Sequence, residues 1–244
     1  MTDVPATHPR YASLRTRDAI VAGVEKGVTS IHGLVAHGRG EAFDYLLGER
    51  SHDFALDATD AAAAMLVAAE RPVVSVNGNA AALVPGELVA LAAAVAAPLE
   101  VNIFHASKER ERTIREHMEA HGAPDVLMPT RHAVLDHIDS NRRFVNPDGI
   151  QAADVVFVPL EDGDRCRALV RSGKRVITVD LNPMSRTART ATVTIVDNVI
   201  RALPLLLERV GARRDDTGAA RALLDRYDNE RVLRAAEAAV RTGR

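Results

Sequence analysis

The stretch DVVFVPLEDGDRCRALVRSGKRVITVDL, residues 154–181, decides the architecture. Two apolar runs, DVVFVPL and RVITVDL, bracket a short charged segment, EDGDRCRALVRSGK. A strand with one face in water alternates apolar and polar residues. These runs are nearly continuous, as in strands covered on both faces. Strand, short helix and strand in succession form a βαβ unit, whose strands lie parallel.

The alternation extends in both directions. Upstream, PVVSVNGN (72–79) reads as a strand ending in an Asn-Gly turn, and PGELVALAAAVAA (85–97) as a helix with Pro85 in its first turn. PLEVNIF (98–104) is the next strand. SKERERTIREHMEAHGA (107–123) is a charged helix that Ser107 caps and Gly122 stops. Downstream, ATVTIVD (191–197) is a strand and NVIRALPLLLERV (198–210) a helix, with a local irregularity at Pro204. The expected fold class is therefore α/β: a mostly parallel sheet flanked by helices.

Helices also precede and follow this body. YASLRTRDAIVAGVEKG (11–27) has helical apolar spacing and a C-terminal Gly27, and ALDATDAAAAMLVAAERP (55–72) is Ala-rich, with an N-cap region at Asp57–Asp60. After Gly211 comes a polar break, ARRDDTGAA (212–220), and then one amphipathic helix, RALLDRYDNERVLRAAEAAVRT (221–242). These features predict one α/β domain over residues 1–210 and a helical extension over 211–244. MPTRHAVLDHIDSNRRFVNPDGI (128–150) reads as a long surface loop.

Composition narrows the function. Apolar residues make up 47% of the 244 and charged residues 26%, as in a globular protein, and the net charge of −2 argues against nucleic acid as a partner. The segment before residue 19 has no apolar run resembling a secretory signal, and VALAAAVAAPL is too short to span a membrane. A single cysteine, Cys166, allows no internal disulfide and suits a reducing cytoplasm. Cys166 is expected to be a small, partly buried side chain.

In an open parallel sheet, ligands bind beyond the carboxyl ends of the strands. Asn77, Gly78 and Asn79 follow the first strand; glycine there permits close backbone approach to a substrate, although a tight turn needs the same residues. Asp180 ends a buried strand, followed by Asn182, Ser185, Arg186, Thr187 and Thr190. A carboxylate at that place suits ribose hydroxyls and an arginine fork suits phosphate, while a polar loop with a capping Asp is the plainer account. Asp197 or Asn198 would cap the helix after the last strand and leave free amides for an anion. Glu161, Asp162 and Asp164 offer oxygen ligands for Mg²⁺, or a loop and helix cap. GLVAHGRGEAFDYLLGER (33–50) crowds His37, Arg39, Glu41 and Asp44 around two glycines and reads as a charged turn. Neither a P-loop nor a G-x-G-x-x-G fingerprint is present.

Five segments together resemble the archaeal 4-phosphopantoate–β-alanine ligase (phosphopantothenate synthetase) family: HPRYASLRTRD (8–18), GLVAHGRGEAFDYLLGE (33–49), PVVSVNGNAAALVPGE (72–87), ADVVFVPLEDGDR (153–165) and DLNPMSRTARTATVTIVDN (180–198). That resemblance implies a Rossmann-like core, a homodimer and the use of ATP and Mg²⁺. It implies a reaction in which 4-phosphopantoate and β-alanine give 4'-phosphopantothenate, AMP and diphosphate through an acyl-adenylate, on the way to coenzyme A. The family's ATP-contacting positions fall on Arg17, Arg39, Asp180, Leu181, Asn182, Arg186, Thr187, Asn198 and Val199. On this reading Arg17, Arg39 and Arg186, with Mg²⁺, offset the repulsion between two polyanions. Gly38 and Gly40 let backbone amides approach phosphate, and His37 and Glu41 are the candidate bases for the β-alanine amine. A phosphotransferase releasing ADP and a non-catalytic nucleotide-binding module are the two rival readings.

Overall fold

In a computed structural model, which describes residues 5–8, 10–103, 107–213 and 217–243, the two apolar runs of residues 154–181 are neighbouring parallel strands. Three helices come first: α1 (Tyr11–Glu25), α2 (Ile31–Leu47) and α3 (Asp53–Val67). The body follows as β1 (Pro72–Val76), α4 (Gly78–Leu83), α5 (Pro85–Ala94), β2 (Leu99–Val101), α6 (Lys108–Ala120) and β3 (Val126–Leu127). It continues through β4 (Ala133–Val134), β5 (Phe144–Val145), β6 (Val155–Phe157), α7 (Gly163–Arg171), β7 (Arg175–Val179), α8 (Arg186–Thr190), β8 (Val193–Ile195) and α9 (Val199–Arg213). Two further helices are α10 (Thr217–Leu224) and α11 (Asn229–Thr242).

The main sheet has the order β3-β2-β1-β6-β7-β8, with every pairing parallel. The antiparallel pair β4–β5 stands apart from it. Setting that pair aside, the order is that of the doubly wound dinucleotide-binding sheet. The chain leaves β1 toward β2 on one side and later returns to place β6 on the other. The crevice above β1 and β6 is therefore the topological switch point.

Both faces of the sheet are covered, which is why its strands do not alternate. Val74 and Val76 of β1 join one core with Phe157, Ile177, Val193 and the apolar faces of α3, α5, α9 and α11. Val73 points the other way and packs with Val156, Val176, Leu169 of α7 and Val145 of the small hairpin. Each fully buried valine contributes about 1.5–3 kcal/mol of transfer free energy, so neither face tolerates a polar residue cheaply.

The local stop signals act as the sequence predicts. Ser107 accepts the Arg110 N–H at 3.2 Å, Gly27 and Gly122 adopt positive φ after α1 and α6, and Pro85 opens α5. Other segments differ. The charged turn around Arg39 is the middle of helix α2, so the Gly38 and Gly40 amides lie inside a helical ladder and do not reach for phosphate. Gly40 is small for another reason: a Cβ there would lie 3.2 Å from Asn198 Nδ2, where α2 crosses the start of α9. Helix α3 begins at Asp53, ahead of the Asp57–Asp60 cap region. The Asn-Gly turn after β1 is a helix start, with Asn77 accepting the Ala80 N–H at 3.0 Å.

The surface loop at 128–150 contains the β4–β5 hairpin and the buried Arg142. The terminal helix is two helices, because Asp228 accepts the N–H groups of Glu230 and Arg231 and starts α11 anew. Of the stretches read in the sequence, Pro9 in the first motif, Phe104 at the end of the second strand and Arg214–Asp216 in the polar break lie outside the described residues.

Candidate active site

A cavity of about 770 Å³ opens at the carboxyl ends of the strands, at the switch point. Segments following β1, β2, β6, β7 and β8 supply its floor and walls, and α2 covers it. Helix α2 is tied down through Arg201, whose Nη2 donates to Asp44 Oδ1 on α2 and to Asp197 Oδ1 before α9, both at 2.7 Å. Ser51 hydrogen-bonds the other oxygen of Asp197, a carboxylate that is only 1% exposed.

The turn after β7 makes one end of the cavity. Asp180 accepts the Asn182 N–H at 3.0 Å and the Ser185 hydroxyl. Burial pushes its pKa up, while those hydrogen bonds and the Arg39 charge pull it down. Ser185 in turn caps α8, accepting the Ala188 N–H at 2.9 Å. Thr187 is buried and donates to the Glu161 carbonyl at 2.9 Å. Arg186 pairs with Asp164 at 3.0 Å and lies across Gly163, where a Cβ would sit 2.5 Å from its Nε. Leu181, Asn182, Asn198 and Val199 line the same end.

Asn77 and Asn79 line the cavity too, but their polar atoms knit its walls. Asn77 Nδ2 donates to the Pro159 carbonyl at 2.7 Å, joining the ends of β1 and β6. Asn79 Nδ2 donates to the Gly33 carbonyl at 3.0 Å and its Oδ1 accepts from Thr29, which fixes the start of α2. Gly78 between them leaves no room for a side chain, since a Cβ would lie 2.7 Å from the Val28 carbonyl oxygen.

Arg39, exposed on α2, and Arg186 line the cavity, whereas Arg17 does not. Arg17 grips Glu41 with Nε and Nη2, each at 2.8 Å, an arginine–carboxylate fork that ties α1 to α2. Glu41 shares a small neighbouring hollow with His37, and His37 also borders the main cavity. His37 Nε2 is buried without a hydrogen-bond partner among the described residues, and burial lowers the pKa of the ring.

The floor holds an ionic cluster that sequence reasoning missed. Arg142 contacts Glu161 and Asp162 and donates from Nε to Asn102 Oδ1 at 3.2 Å. Glu161 also pairs with Arg165, a guanidinium with no exposure at all, which reaches Ser75 Oγ on β1 at 3.3 Å. The spacing of Glu161 and Arg165, one helical turn apart, was the available signal. Arg142 gave none, since its partners lie 19 and 20 positions downstream. Asp162 performs the plainer of its two expected tasks, accepting the N–H groups of Asp164 and Arg165 to start α7. Cys166 is buried, and that burial pushes its thiol up to about 12, so it is no nucleophile.

A family model described as phosphopantothenate/pantothenate synthetase matches residues 54–243. The chain belongs to the phosphopantothenate/pantothenate synthetase family. A Methanosarcina mazei protein named 4-phosphopantoate–β-alanine ligase is 52% identical over 237 residues, spanning 96% of this chain and 92% of that protein. A Thermococcus onnurineus protein of the same name is 49% identical over 237 residues, covering 96% and 90%. A third, from Methanospirillum hungatei, is 50% identical over 201 residues, 82% of each chain. The family match begins at residue 54, after α2, while the first two relatives cover nearly the whole chain, including the helix that carries His37 and Arg39.

Proposed function

We propose that this protein is an ATP-dependent carbon–nitrogen ligase that joins 4-phosphopantoate to β-alanine, giving 4'-phosphopantothenate, AMP and diphosphate on the route to coenzyme A. The observation that carries the reading is the cavity at the switch point of the sheet, in a chain whose relatives bear that ligase name. At about 770 Å³ it falls in the range that accommodates small-molecule ligands and is large enough to bring two together.

In this reading the nucleotide occupies the β7–β8 end. Asp180 retains lone pairs beyond those given to Asn182 and Ser185, and these accept the ribose hydroxyls. Leu181 and Asn182 flank the adenosine. Arg186, Thr187, Asn198 and Val199 border the phosphates, and Arg39 faces the α-phosphate from α2. Arg17 acts at one remove, by holding Glu41 on that helix. Asn77, Gly78 and Asn79 shape the end that receives the acid.

A carboxylate oxygen of the acid attacks the α-phosphorus and diphosphate departs. The β-alanine nitrogen then attacks the acyl carbon, AMP departs, and two protons leave the nitrogen. His37 is placed to take one, because its buried ring is neutral near pH 7 and its Nε2 is uncommitted. Glu41 is occupied by Arg17, so both of its oxygens are already committed.

Among the described residues no three His, Cys, Asp or Glu side chains cluster as a metal site. Glu161 and Asp180 already have partners. This donor set fits Mg²⁺ held mainly by the nucleotide's phosphates, with Asp162, which lines the cavity, is partly exposed and is itself paired with Arg142, as the chain's contribution. Bound there, the ion supplies neutralisation of phosphate charge.

We further place a homodimer contact on the outer face of α2. Ile31, Val35 and Tyr45 are 68%, 74% and 68% exposed, and with Gly38 they form a stripe at coiled-coil spacing. No helix among the described residues is long and apolar enough to cross a membrane, and we assign the protein to the cytoplasm.

The test is incubation with ATP, Mg²⁺, 4-phosphopantoate and β-alanine, with mass analysis of the products. AMP, diphosphate and 4'-phosphopantothenate are expected. ADP would replace the ligase by a phosphotransferase, and ATP binding without turnover would make the protein a binding module.

A further inference from the structure

Helix α2 carries His37 and Arg39 on one continuous hydrogen-bonded rod above the cavity. Whatever fixes the pose of that rod fixes both side chains. Its start is held on the β1 side, where Asn79 Nδ2 donates to the Gly33 carbonyl at 3.0 Å. Phe43 and Leu47 seat its far half in the core. Apolar contact is non-directional, so tilt and register there must be set by something else.

That directional contact is made at Asp44. It lies one turn after Gly40 and two turns after His37, so the three share one face of α2. The face rests on the start of α9. A Cβ at Gly40 would lie 3.2 Å from Asn198 Nδ2, that same Nδ2 is 3.4 Å from Asp44 Oδ2, and Arg201 Nη2 donates to Asp44 Oδ1 at 2.7 Å. The Asp44 and Arg201 side chains are 8% and 17% exposed, so the pair is weakly screened. Neither residue borders the main cavity, but Asn198 does.

The charges around Arg201 are unequal. Two carboxylates, Asp44 and Asp197, share its one guanidinium. Asp197 is the more firmly held, since it also accepts the Asn198 N–H at 2.7 Å, Arg201 Nε at 3.0 Å and the Ser51 hydroxyl. When the bond to Asp44 breaks, Arg201 keeps Asp197, its neighbour one turn back. The tie between the two helices can therefore loosen without orphaning the guanidinium.

We infer that Asp44 and Arg201 are positioning residues: they latch α2 onto the start of α9 and so set where Arg39 and His37 stand over the reacting groups. This rests on the ligase reading above. It also gives the surplus carboxylate a reason, because Asp197 alone would satisfy Arg201, and only Asp44 carries the contact across to α2.

The experiment uses Asp44→Asn. The amide oxygen can still accept from Arg201, and the change removes surplus negative charge from a nearly buried place, so Tm should stay within about 2 °C of wild type. The latch loses its charge assistance. The kcat for AMP release should fall by about tenfold to a hundredfold, the scale set by a displacement of about 1 Å at the reacting groups. Hydrogen exchange should quicken across α2 and stay as it was in α3 and α9. Arg201→Lys keeps the charge but has no fork to span two carboxylates; it should shift both readouts the same way, and it carries the test if the asparagine variant does not fold. Wild-type kcat in a folded variant overturns the inference, as does a loss that only follows a fall in Tm, or a loss with α2 exchange unmoved. Wild-type protein that releases no AMP sinks the ligase reading. The exchange comparison then decides the latch by itself: faster exchange confined to α2 keeps it, and equal exchange removes it.

Discussion

Replacing Glu161 by alanine should destabilise the protein severely through charge alone. The Glu161 side chain is 1% exposed and lies between Arg142 and Arg165, whose side chains are 5% and 0% exposed. Without it, the Arg142 guanidinium keeps the neutral Asn102 and Asp162, which is 35% exposed, and the Arg165 guanidinium keeps the neutral Ser75 hydroxyl. Breaking a buried ion pair from one side costs about 3–5 kcal/mol, against about 1 kcal/mol or less for an exposed pair. Whole-domain stability is only about 5–15 kcal/mol. For a chain of this size each kcal/mol moves Tm by about 2–4 °C, so a fall of about 6–20 °C is expected. The chain has no tryptophan, so far-ultraviolet circular dichroism of its helices is the suitable probe. Two controls sharpen the test. Glu161→Gln, which keeps the shape and an acceptor, should lose less. Arg165→Met should cost less in the Glu161→Ala background than in wild type, because it removes an orphaned charge. A Glu161→Ala protein melting within about 2 °C of wild type would mean that water reaches this floor and the burial argument is wrong.

Two pH experiments follow from the same interior. Burial holds His37 below its ordinary 6.5, so kcat/KM should be flat near neutrality and fall on the acid side as the ring protonates. His37→Gln should abolish that limb and lower kcat by about a hundredfold or more; a limb that persists in the variant belongs to another group. Glu100, fully buried in β2, accepts the N–H groups of Asn146 and Ile150 at 2.9 and 2.6 Å. Burial raises its carboxyl from 4.5 to about 7, with those two hydrogen bonds opposing. The folded protein therefore holds a proton that the unfolded chain releases. Its contribution is complete below pH 4.5 and is lost as pH rises through about 7, up to about 3 kcal/mol at about 1.4 kcal/mol per pH unit. Urea unfolding at pH 5 and pH 8 should show that loss in wild type and a flatter response in Glu100→Gln; equal slopes would refute the assignment.

The sheet was legible because its strands obey a single constraint. Residues covered on both faces must be apolar, and DVVFVPL and RVITVDL show this without any partner in view. The order of the strands was not legible, since parallel pairing between β1 and β6 is settled by packing across the intervening chain. Helix α2 was misread for a physical reason. Gly33, Gly38 and Gly40 lower its intrinsic propensity, and its apolar residues fall on two faces: Phe43 and Leu47 inward, Ile31, Val35 and Tyr45 outward. Such a pattern yields no single stripe, although Gly40 eases the close approach of Asn198. At the site, residues just past strand ends announced themselves, as Asp180 and Asn77 did. Arg142 did not, because a charge buried by distant partners looks in sequence like any surface arginine.

The pairing of β1 with β6 also has a consequence for the newborn chain. Pro72 lies opposite Val155, about 80 positions later, and at roughly 5–20 residues per second that interval lasts about 4–16 s of synthesis. Throughout it, one rim of a five-residue apolar strand has amide and carbonyl groups seeking a neighbour. Another nascent copy of the same segment would serve. Expression at high ribosome density should thus favour inclusion bodies nucleated by the 72–76 segment, and slowed translation or holdase chaperones should recover folded material.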